Sequence, residues 1–325
     1  MLSCSTLAAG LLSVTGVLAG YNAGSTENIA IYWGQNSAGA TNAGQAQQSL
    51  SDYCGNSDLD IIPIAFVSSL NPIQLDLTNM ADDSNIGQEI KTCQKSGKTI
   101  LVSVGGSMFT EGPSSPQDAQ SKADQLWSMF GPPGNGGGTR PFGDAIVDGF
   151  DLDIEAPLQN MGAFAARLRQ NIDKANSGGS QKFYLSAAPQ CPYPDQNNVD
   201  ILLGDNAVAF DFIMVQFYNN AKCDIRVFGS AEPGSDPAEA GFNMDVWDTW
   251  ARSSKNPNAK VFLGVPGGPS AVTPSEKASY QDHRALGPII AYSKRFSSFA
   301  GIMMWDISQV WANEGFLDGV SNAVK

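Results

Sequence analysis

The sequence is poor in histidine and in basic residues. His283 is the only histidine among 325 residues, and it lies in "SYQDHRALGP", a context typical of a helix start at the surface. Nucleophilic chemistry of the Ser–His kind finds no support, and no His/Cys cluster offers a metal site. We therefore expect no metal and no cofactor. With 19 Lys and Arg against 32 Asp and Glu, the net charge is −13, which argues against nucleic acid or an anionic membrane as partner.

The chain also lacks long apolar runs beyond its first residues. Residues 1–19 are small and apolar, too short and too rich in Ala and Gly for a membrane span, and we interpret them as a signal peptide cleaved near Gly20. The alternative is a disordered amino terminus. We expect the mature protein, residues 20–325, to be a secreted single domain without a membrane span and a monomer.

Eight short runs rich in β-branched and aromatic residues recur about every 40 residues, and segments with helical spacing lie between them. The runs are near-continuously apolar, as in parallel strands that are covered on both faces. This count predicts one α/β domain, a (β/α)8 TIM barrel. A doubly wound open sheet is the alternative, but neither GxGxxG nor GxxxxGK occurs. The runs are 28–35, 61–67, 99–106, 147–155, 183–190, 210–218, 260–268 and 299–307.

Cysteine is scarce, with five residues in the chain. If Cys4 leaves with the signal peptide, an even number remains, as expected for an exported chain with disulfides. Cys54 and Cys93 precede neighbouring predicted strands, and Cys191 and Cys223 follow two others. Because strand starts and strand ends occupy opposite faces of a barrel, we predict structural disulfides Cys54–Cys93 and Cys191–Cys223.

The fourth run, "VDGFDLDIE", carries four carboxylates in an otherwise buried strand. Alternation places Asp151, Asp153 and Glu155 on one face, with Glu155 nearest the carboxyl-terminal rim, where barrel active sites lie. Burial and mutual repulsion raise carboxyl pKa values, so one of these groups is suited to be a general acid. We expect Asp153 to contact Glu155 or substrate, and Asp151 to share a proton with Asp153. Acids on one face leave no opposing nucleophile, so the nucleophile could belong to the substrate.

At these residues the chain resembles glycoside hydrolase family 18, whose strand-4 signature D-G-x-D-x-D-x-E is complete at Asp148–Glu155. It is more similar to the compact class III (plant- and fungal-type) chitinases. The segments that carry this resemblance are "NIAIYWGQN", "SVGG", "AAPQCP", "MVQFYNN" and "GIMMWD".

The resemblance implies a role for each matching position. Glu155 would be the acid and then the base, Asp153 would orient the substrate N-acetyl group, and Asp151 would support it. Tyr218 would donate to the N-acetyl carbonyl oxygen. The implied substrate-binding residues are Trp305 as the floor beneath the sugar, Gln216, Gly106, Phe66 and Asn219. The family often has a non-proline cis peptide at the position of Ala65–Phe66.

The resemblance implies a secreted, endo-acting chitinase that hydrolyses β-1,4 bonds between N-acetylglucosamine units with retention, assisted by the substrate N-acetyl group. The partners would be chitin and its oligosaccharides. Gly268–Phe299 is too short for the α+β insertion domain of other family members, so we expect an open groove. The alternatives are a chitin-binding, lectin-like protein on the same barrel and an endo-β-N-acetylglucosaminidase acting on glycans.

Overall fold

The structure is a computed structural model, and it describes residues 20–78, 85–133, 139–179, 181–232 and 234–325. Eight parallel strands form a closed barrel, as the sequence predicts. The sheet order is β1-β9-β8-β7-β6-β5-β4-β2-β3, and β1 pairs with β2 to close the ring. The strands are β1 Asn28–Ile31, β2 Ile61–Leu70, β3 Ile73–Leu75, β4 Thr99–Gly105, β5 Gly149–Asp153, β6 Tyr184–Ala187, β7 Phe212–Gln216, β8 Lys260–Pro266 and β9 Phe299–Trp305.

Helices follow the barrel strands and cover the outside of the sheet. The longest are α4 and α5, which pack side by side next to β4 and β5. The helices are α1 Ser37–Thr41, α2 Leu50–Tyr53, α3 Ile86–Lys95, α4 Pro116–Phe130, α5 Met161–Gly178, α6 Val199–Leu202, α7 Ile225–Phe228, α8 Met244–Ser253, α9 His283–Ser293, α10 Ile307–Ala312 and α11 Phe316–Val324.

The apolar core has two layers because successive strand side chains alternate between faces. The larger cluster lies between strands and helices, and the smaller one fills the barrel interior. The Tyr21 ring closes the interior at the amino-terminal end, with its centroid 4.4 Å from that of Phe212 and 5.1 Å from that of Tyr184. Polar side chains that reach the interior are therefore exceptions that require partners.

Three aspartates at the amino-terminal end of the barrel hold neighbouring strands together. Asp60, Asp148 and Asp211 each directly precede a strand, namely β2, β5 and β7. Their carboxylates accept the backbone N–H of the second residue of the adjacent strand, Ile29 at 2.8 Å and Ile100 and Leu185 at 2.9 Å. These contacts tie the strands in pairs.

One small element was not predicted. Strand β3 pairs antiparallel with the extended end of β2 and forms a hairpin beyond the barrel. The predicted run 61–67 is therefore too short, since β2 continues to Leu70. The segment between β8 and β9 holds only a 3-10 turn, Pro274–Ser279, and α9, so the insertion domain is absent there, as expected.

Both predicted disulfides, Cys54–Cys93 and Cys191–Cys223, are present, with Cα–Cα distances of 5.0 and 5.8 Å. Residues 1–19, interpreted as a signal peptide, lie outside the described residues. Within the described part of the chain, no helix is both long enough and apolar enough to cross a membrane.

Candidate active site

An open cleft of about 360 Å³ lies at the carboxyl-terminal end of the barrel. It collects side chains from the ends of several strands and the loops that follow them. The lining residues that the sequence predicts as site residues are Phe66, Gly106, Asp153, Glu155, Gln216, Tyr218, Asn219 and Trp305. Asp151 lies one level deeper in the same strand.

Asp151 sits in a layer of hydroxyl groups inside the barrel. Ser103 on β4 and Ser186 on β6 are its cross-strand neighbours in register. Both serine hydroxyls and the Tyr32 hydroxyl donate to its carboxylate, at 2.7, 2.7 and 2.8 Å. Burial raises the pKa of Asp151, and these hydrogen bonds oppose that rise. The predicted proton sharing between Asp151 and Asp153 has no corresponding hydrogen bond among the contacts described, because the hydroxyl groups occupy the Asp151 oxygens.

Asp153 and Glu155 share one amide donor. The Gln216 Nε2 group, from the end of β7, donates to Asp153 at 2.8 Å and to Glu155 at 3.1 Å. Burial raises the pKa of Asp153 well above its ordinary value, and the nearby charges of Glu155 and Asp151 add to the rise. Burial also raises the pKa of Glu155. Two carboxyls this close, with one neutral donor between them, favour protonation of one of the pair.

The loop after β6 folds over the end of β5. Asn198 in this loop donates through Nδ2 to the Ile154 carbonyl at 2.9 Å and to the Asp195 carboxylate at 2.7 Å. The charge of Asp195 contributes to the raised pKa of Glu155. The loop therefore places a further carboxylate, that of Asp195, near Glu155.

Three aromatic rings line part of the cleft. The Trp305 and Phe66 rings are stacked, with centroids 5.6 Å apart and planes at 18°, and Tyr32 lies 5.6 Å from Trp305. Flat aromatic faces suit the C–H faces of a sugar ring. The expected cis peptide Ala65–Phe66 is present, and a second non-proline cis peptide, Trp305–Asp306, follows β9.

Two consecutive glycines let β4 end directly against β5 and Phe66. A Cβ on Gly105 would lie 1.9 Å from the Asp153 carbonyl oxygen, and a Cβ on Gly106 would lie 2.8 Å from the Phe66 ring. Both residues also have positive φ, 131° and 84°, which favours glycine. The close approach of β4 to β5 and to Phe66 at the rim therefore requires glycine at both positions of the "GG" in "SVGG".

Tyr218 and Asn219 bring the end of β7 to the cleft. Burial and the nearby carboxylates of Asp153 and Glu155 raise the pKa of Tyr218 well above its ordinary value, so its hydroxyl stays protonated and can donate. Asn219 is anchored by its N–H to the Ser279 hydroxyl at 2.9 Å and by its side-chain oxygen to the Thr273 N–H at 3.2 Å.

Sequence reasoning missed Tyr32, Ser103, Ser186 and Asp195. The signal for the two serines was a polar residue at an inward position of an apolar strand. Its meaning depends on strand register, which the sequence does not give. Asp195 lies in a loop, where periodicity carries no information.

A parallel barrel with a row of buried carboxylates beneath an aromatic-lined cleft defines a carboxylate-based glycosidase. The family model "Glycosyl hydrolases family 18" matches residues 28–282, and the chain belongs to this family.

Two curated relatives cover most of the chain. Endochitinase 33 of Trichoderma harzianum is 43% identical over 340 residues, covering 100% of both chains. A class III chitinase of Arthroderma benhamiae is 40% identical and covers 94% of this chain and 88% of its own. Among solved structures, the xylanase and alpha-amylase inhibitor protein XAIP-II of Scadoxus multiflorus is 28% identical with a TM-score of 0.70, covering 91% of this chain and 98% of that chain.

Proposed function

We propose that this protein is a secreted endochitinase that cleaves β-1,4 bonds between N-acetylglucosamine units with retention of configuration. The observation that carries the proposal is the pairing of Asp153 and Glu155 through Gln216, in the cleft that Tyr218 and Trp305 also line. The similarity to Endochitinase 33 over the full length supports the choice of chitin as substrate.

In the first step, protonated Glu155 gives its proton to the glycosidic oxygen as the bond from that oxygen to C1 breaks. The N-acetyl carbonyl oxygen of the same sugar attacks C1 and forms a cyclic oxazolinium ion. Asp153 accepts the N-acetyl N–H and stabilises the positive charge that develops. Tyr218 donates its hydroxyl to the carbonyl oxygen and holds it in line for attack.

In the second step, water attacks C1, and the Glu155 carboxylate takes the proton from that water. The C1–O bond of the oxazolinium opens and restores the N-acetyl group. Two displacements at C1 give net retention. Asp151, held by three hydroxyl groups, stays in place beneath the pair, and its charge helps the Asp153–Glu155 pair to keep one proton.

The shape of the cleft supports cleavage at internal bonds of a polysaccharide chain. It is open, and the short β8–β9 segment builds no wall across it. An extended oligosaccharide can therefore lie across the floor with sugars on both sides of Glu155.

Two alternatives remain distinct from this proposal. The first is a chitin-binding, lectin-like protein without activity, but Glu155 and its hydrogen-bond partner Gln216 are present here. An endo-β-N-acetylglucosaminidase would act on glycans through the same acids. Hydrolysis of chitin oligosaccharides, glycans or neither separates the three.

The proposal is tested with a matched pair of hexamers, one fully N-acetylated and one fully deacetylated. We expect hydrolysis of the acetylated hexamer only, because the deacetylated sugar lacks the internal nucleophile. Reducing ends released over time give both rates. Equal rates on the two hexamers would contradict the participation of the N-acetyl group.

Secretion belongs to the same proposal. The two disulfides are typical of proteins from oxidising compartments, and residues 1–19 resemble a signal peptide. Expression of the whole chain in a secreting yeast should give protein in the medium that begins near Gly20, as read by amino-terminal sequencing. Protein that stays in the cells with Met1 intact would contradict this.

A further inference from the structure

A second cavity opens on the same rim of the barrel as the cleft. Its volume is about 320 Å³. The residues that line it include Pro192, Tyr193, Asn220, Lys222, Gly241 and Asn243. We call it the Tyr193 pocket. None of these residues is used in the mechanism above.

The loops that form the Tyr193 pocket are the ones that leave the cleft. Gln190 lines the cleft and Tyr193 follows three residues later, so at most roughly 10 Å of chain separates them. Asn219 lines the cleft, and the next residue, Asn220, lines the pocket. The Cys191–Cys223 disulfide joins the two loops where they pass from one cavity to the other. The pocket therefore lies next to the cleft on the same rim, and the disulfide joins the two loops that contribute to both cavities.

The Tyr193 pocket lies on the Glu155 side of the cleft. Its loop packs over the end of β5 through Asn198 and Asp195, directly beside Glu155. The hairpin residues Ser68 and Asp76 lie on the other side of the cleft, where they and Phe66 line it. A sugar over Trp305 whose glycosidic oxygen points to Glu155 therefore has its neighbour in the direction of the pocket.

The side chains of the pocket suit a pyranose. Tyr193 is 39% exposed, one of the few exposed large hydrophobic residues in the described part of the chain. Its ring is perpendicular to that of Trp247, with centroids 5.2 Å apart, so Trp247 covers at most one face. Trp247 Nε1 and Asn243 Nδ2 both donate to the Cys191 carbonyl, at 3.1 and 2.8 Å, which fixes the backbone two residues before Tyr193.

We propose that the Tyr193 pocket is a subsite for the sugars on the leaving-group side of the scissile bond, with the Tyr193 ring stacking on an N-acetylglucosamine unit. Lys222, exposed at the edge of the pocket, donates to the hydroxyl or acetyl oxygens of that unit. The subsite rests on the proposed function, since it requires a chitin chain across the cleft. It explains how an open groove retains enough binding energy beyond Glu155 to cleave within a polymer.

The test compares Tyr193→Ala, Tyr193→Phe and the wild type on an N-acetylglucosamine hexamer labelled with ¹⁸O at its reducing end. We expect Tyr193→Ala to lower kcat/KM by about tenfold, equivalent to about 1.4 kcal/mol, and Tyr193→Phe to keep the wild-type value. The remaining cleavage should shift towards the reducing end. Binding modes that place fewer sugars on the leaving-group side depend less on Tyr193 and are therefore weakened less. Trp311→Ala is the matched control, since Trp311 is 41% exposed and outside both cavities.

The outcomes separate the subsite from the function. An active wild type with an unchanged cleavage pattern in Tyr193→Ala would overturn the subsite alone. A wild type inactive on the hexamer would overturn the proposed function and the subsite together. Equal losses in Tyr193→Ala and Trp311→Ala, without a shift in products, would indicate a general structural effect and overturn the subsite. If Tyr193→Ala does not fold, Lys222→Ala supplies the same product comparison.

Discussion

The two ends of strand β5 hold carboxylates in opposite surroundings. Asp148, at the amino-terminal end, accepts three N–H donors, from Ile100 at 2.9 Å, Gln94 at 2.9 Å and Gln181 at 3.0 Å. At the other end, Asp153 and Glu155 share the amide of Gln216. The number of fixed donors therefore separates an acid that holds strands together from acids that are free to exchange a proton.

Asp151 lies between the two ends of the strand and shares a property with each. Three hydroxyl groups satisfy its oxygens, as the amides do for Asp148, yet its charge acts on Asp153 above it. Along this strand, the hydrogen-bond donors are three amide N–H groups at Asp148 and three hydroxyl groups at Asp151. Asp153 and Glu155 share a single side-chain amide. The comparison predicts that substitutions near the rim change rates and that substitutions near the amino-terminal end change stability.

The largest effect is expected for Glu155→Gln. The amide cannot give up a proton to the leaving oxygen, so kcat for the hexamer should fall by about 10²–10⁴-fold. Binding of the hexamer, measured by calorimetry, should be retained because the side-chain shape is kept. Glu314→Gln, at an exposed glutamate outside the cleft, is the control. A rate within threefold of wild type would remove Glu155 from the role of acid.

Tyr218→Phe should have the next effect. Loss of one donor to the oxygen that attacks C1 is expected to lower kcat by about 10²-fold, with little change in the melting temperature. Tyr184→Phe removes the same hydroxyl at the opposite end of the barrel and should leave kcat unchanged. If the two variants behave alike, Tyr218 does not contact the reacting group.

Asp148→Ala should act on stability. It leaves the Ile100 N–H and two side-chain amides without their acceptor, so the free energy of unfolding should fall by about 1–3 kcal/mol. Urea unfolding at neutral pH measures the loss, and kcat per folded molecule should stay at the wild-type value. A loss of kcat without a loss of stability would contradict the division between the two ends.

The last effect concerns the pH dependence of stability. Burial raises the pKa of Asp60 to about 6 in the folded protein, against about 3.9 in the unfolded chain. The folded state holds this proton more tightly, so stability from this group is greatest below pH 4 and is lost as the pH rises through 6. Asp60→Asn does not titrate, so the difference in unfolding free energy between wild type and variant should fall by about 2 kcal/mol from pH 4 to 7. A constant difference would show that the Asp60 pKa is not raised.

Much of the barrel could be predicted from sequence because local sequence patterns indicate its strands and helices. Apolar runs of strand length, helical spacing between them and the position of each cysteine relative to a strand gave the eight strands and both disulfides. Strand β3 was missed because its signal, the "NP" of Asn71–Pro72 after β2, marks a turn without saying whether the chain returns to pair.

The acids of the site could be predicted because they lie on one strand, where alternation fixes their common face. Their partners could not. Ser103, Ser186 and Tyr32 meet Asp151 only when the register of β4, β5 and β6 is set, and register is a property of the closed barrel. The resemblance to family 18 supplied Tyr218, Gln216 and Trp305, which local patterns would assign to the core.

The central claim is that acids on a single strand face leave attack on C1 to the substrate itself. The most direct measurement is proton NMR of the first products from the N-acetylglucosamine hexamer, recorded before the anomers equilibrate. We expect the new reducing end to form as the β-anomer. Initial formation of the α-anomer would mean direct attack by water on C1 and would contradict attack by the N-acetyl group of the substrate.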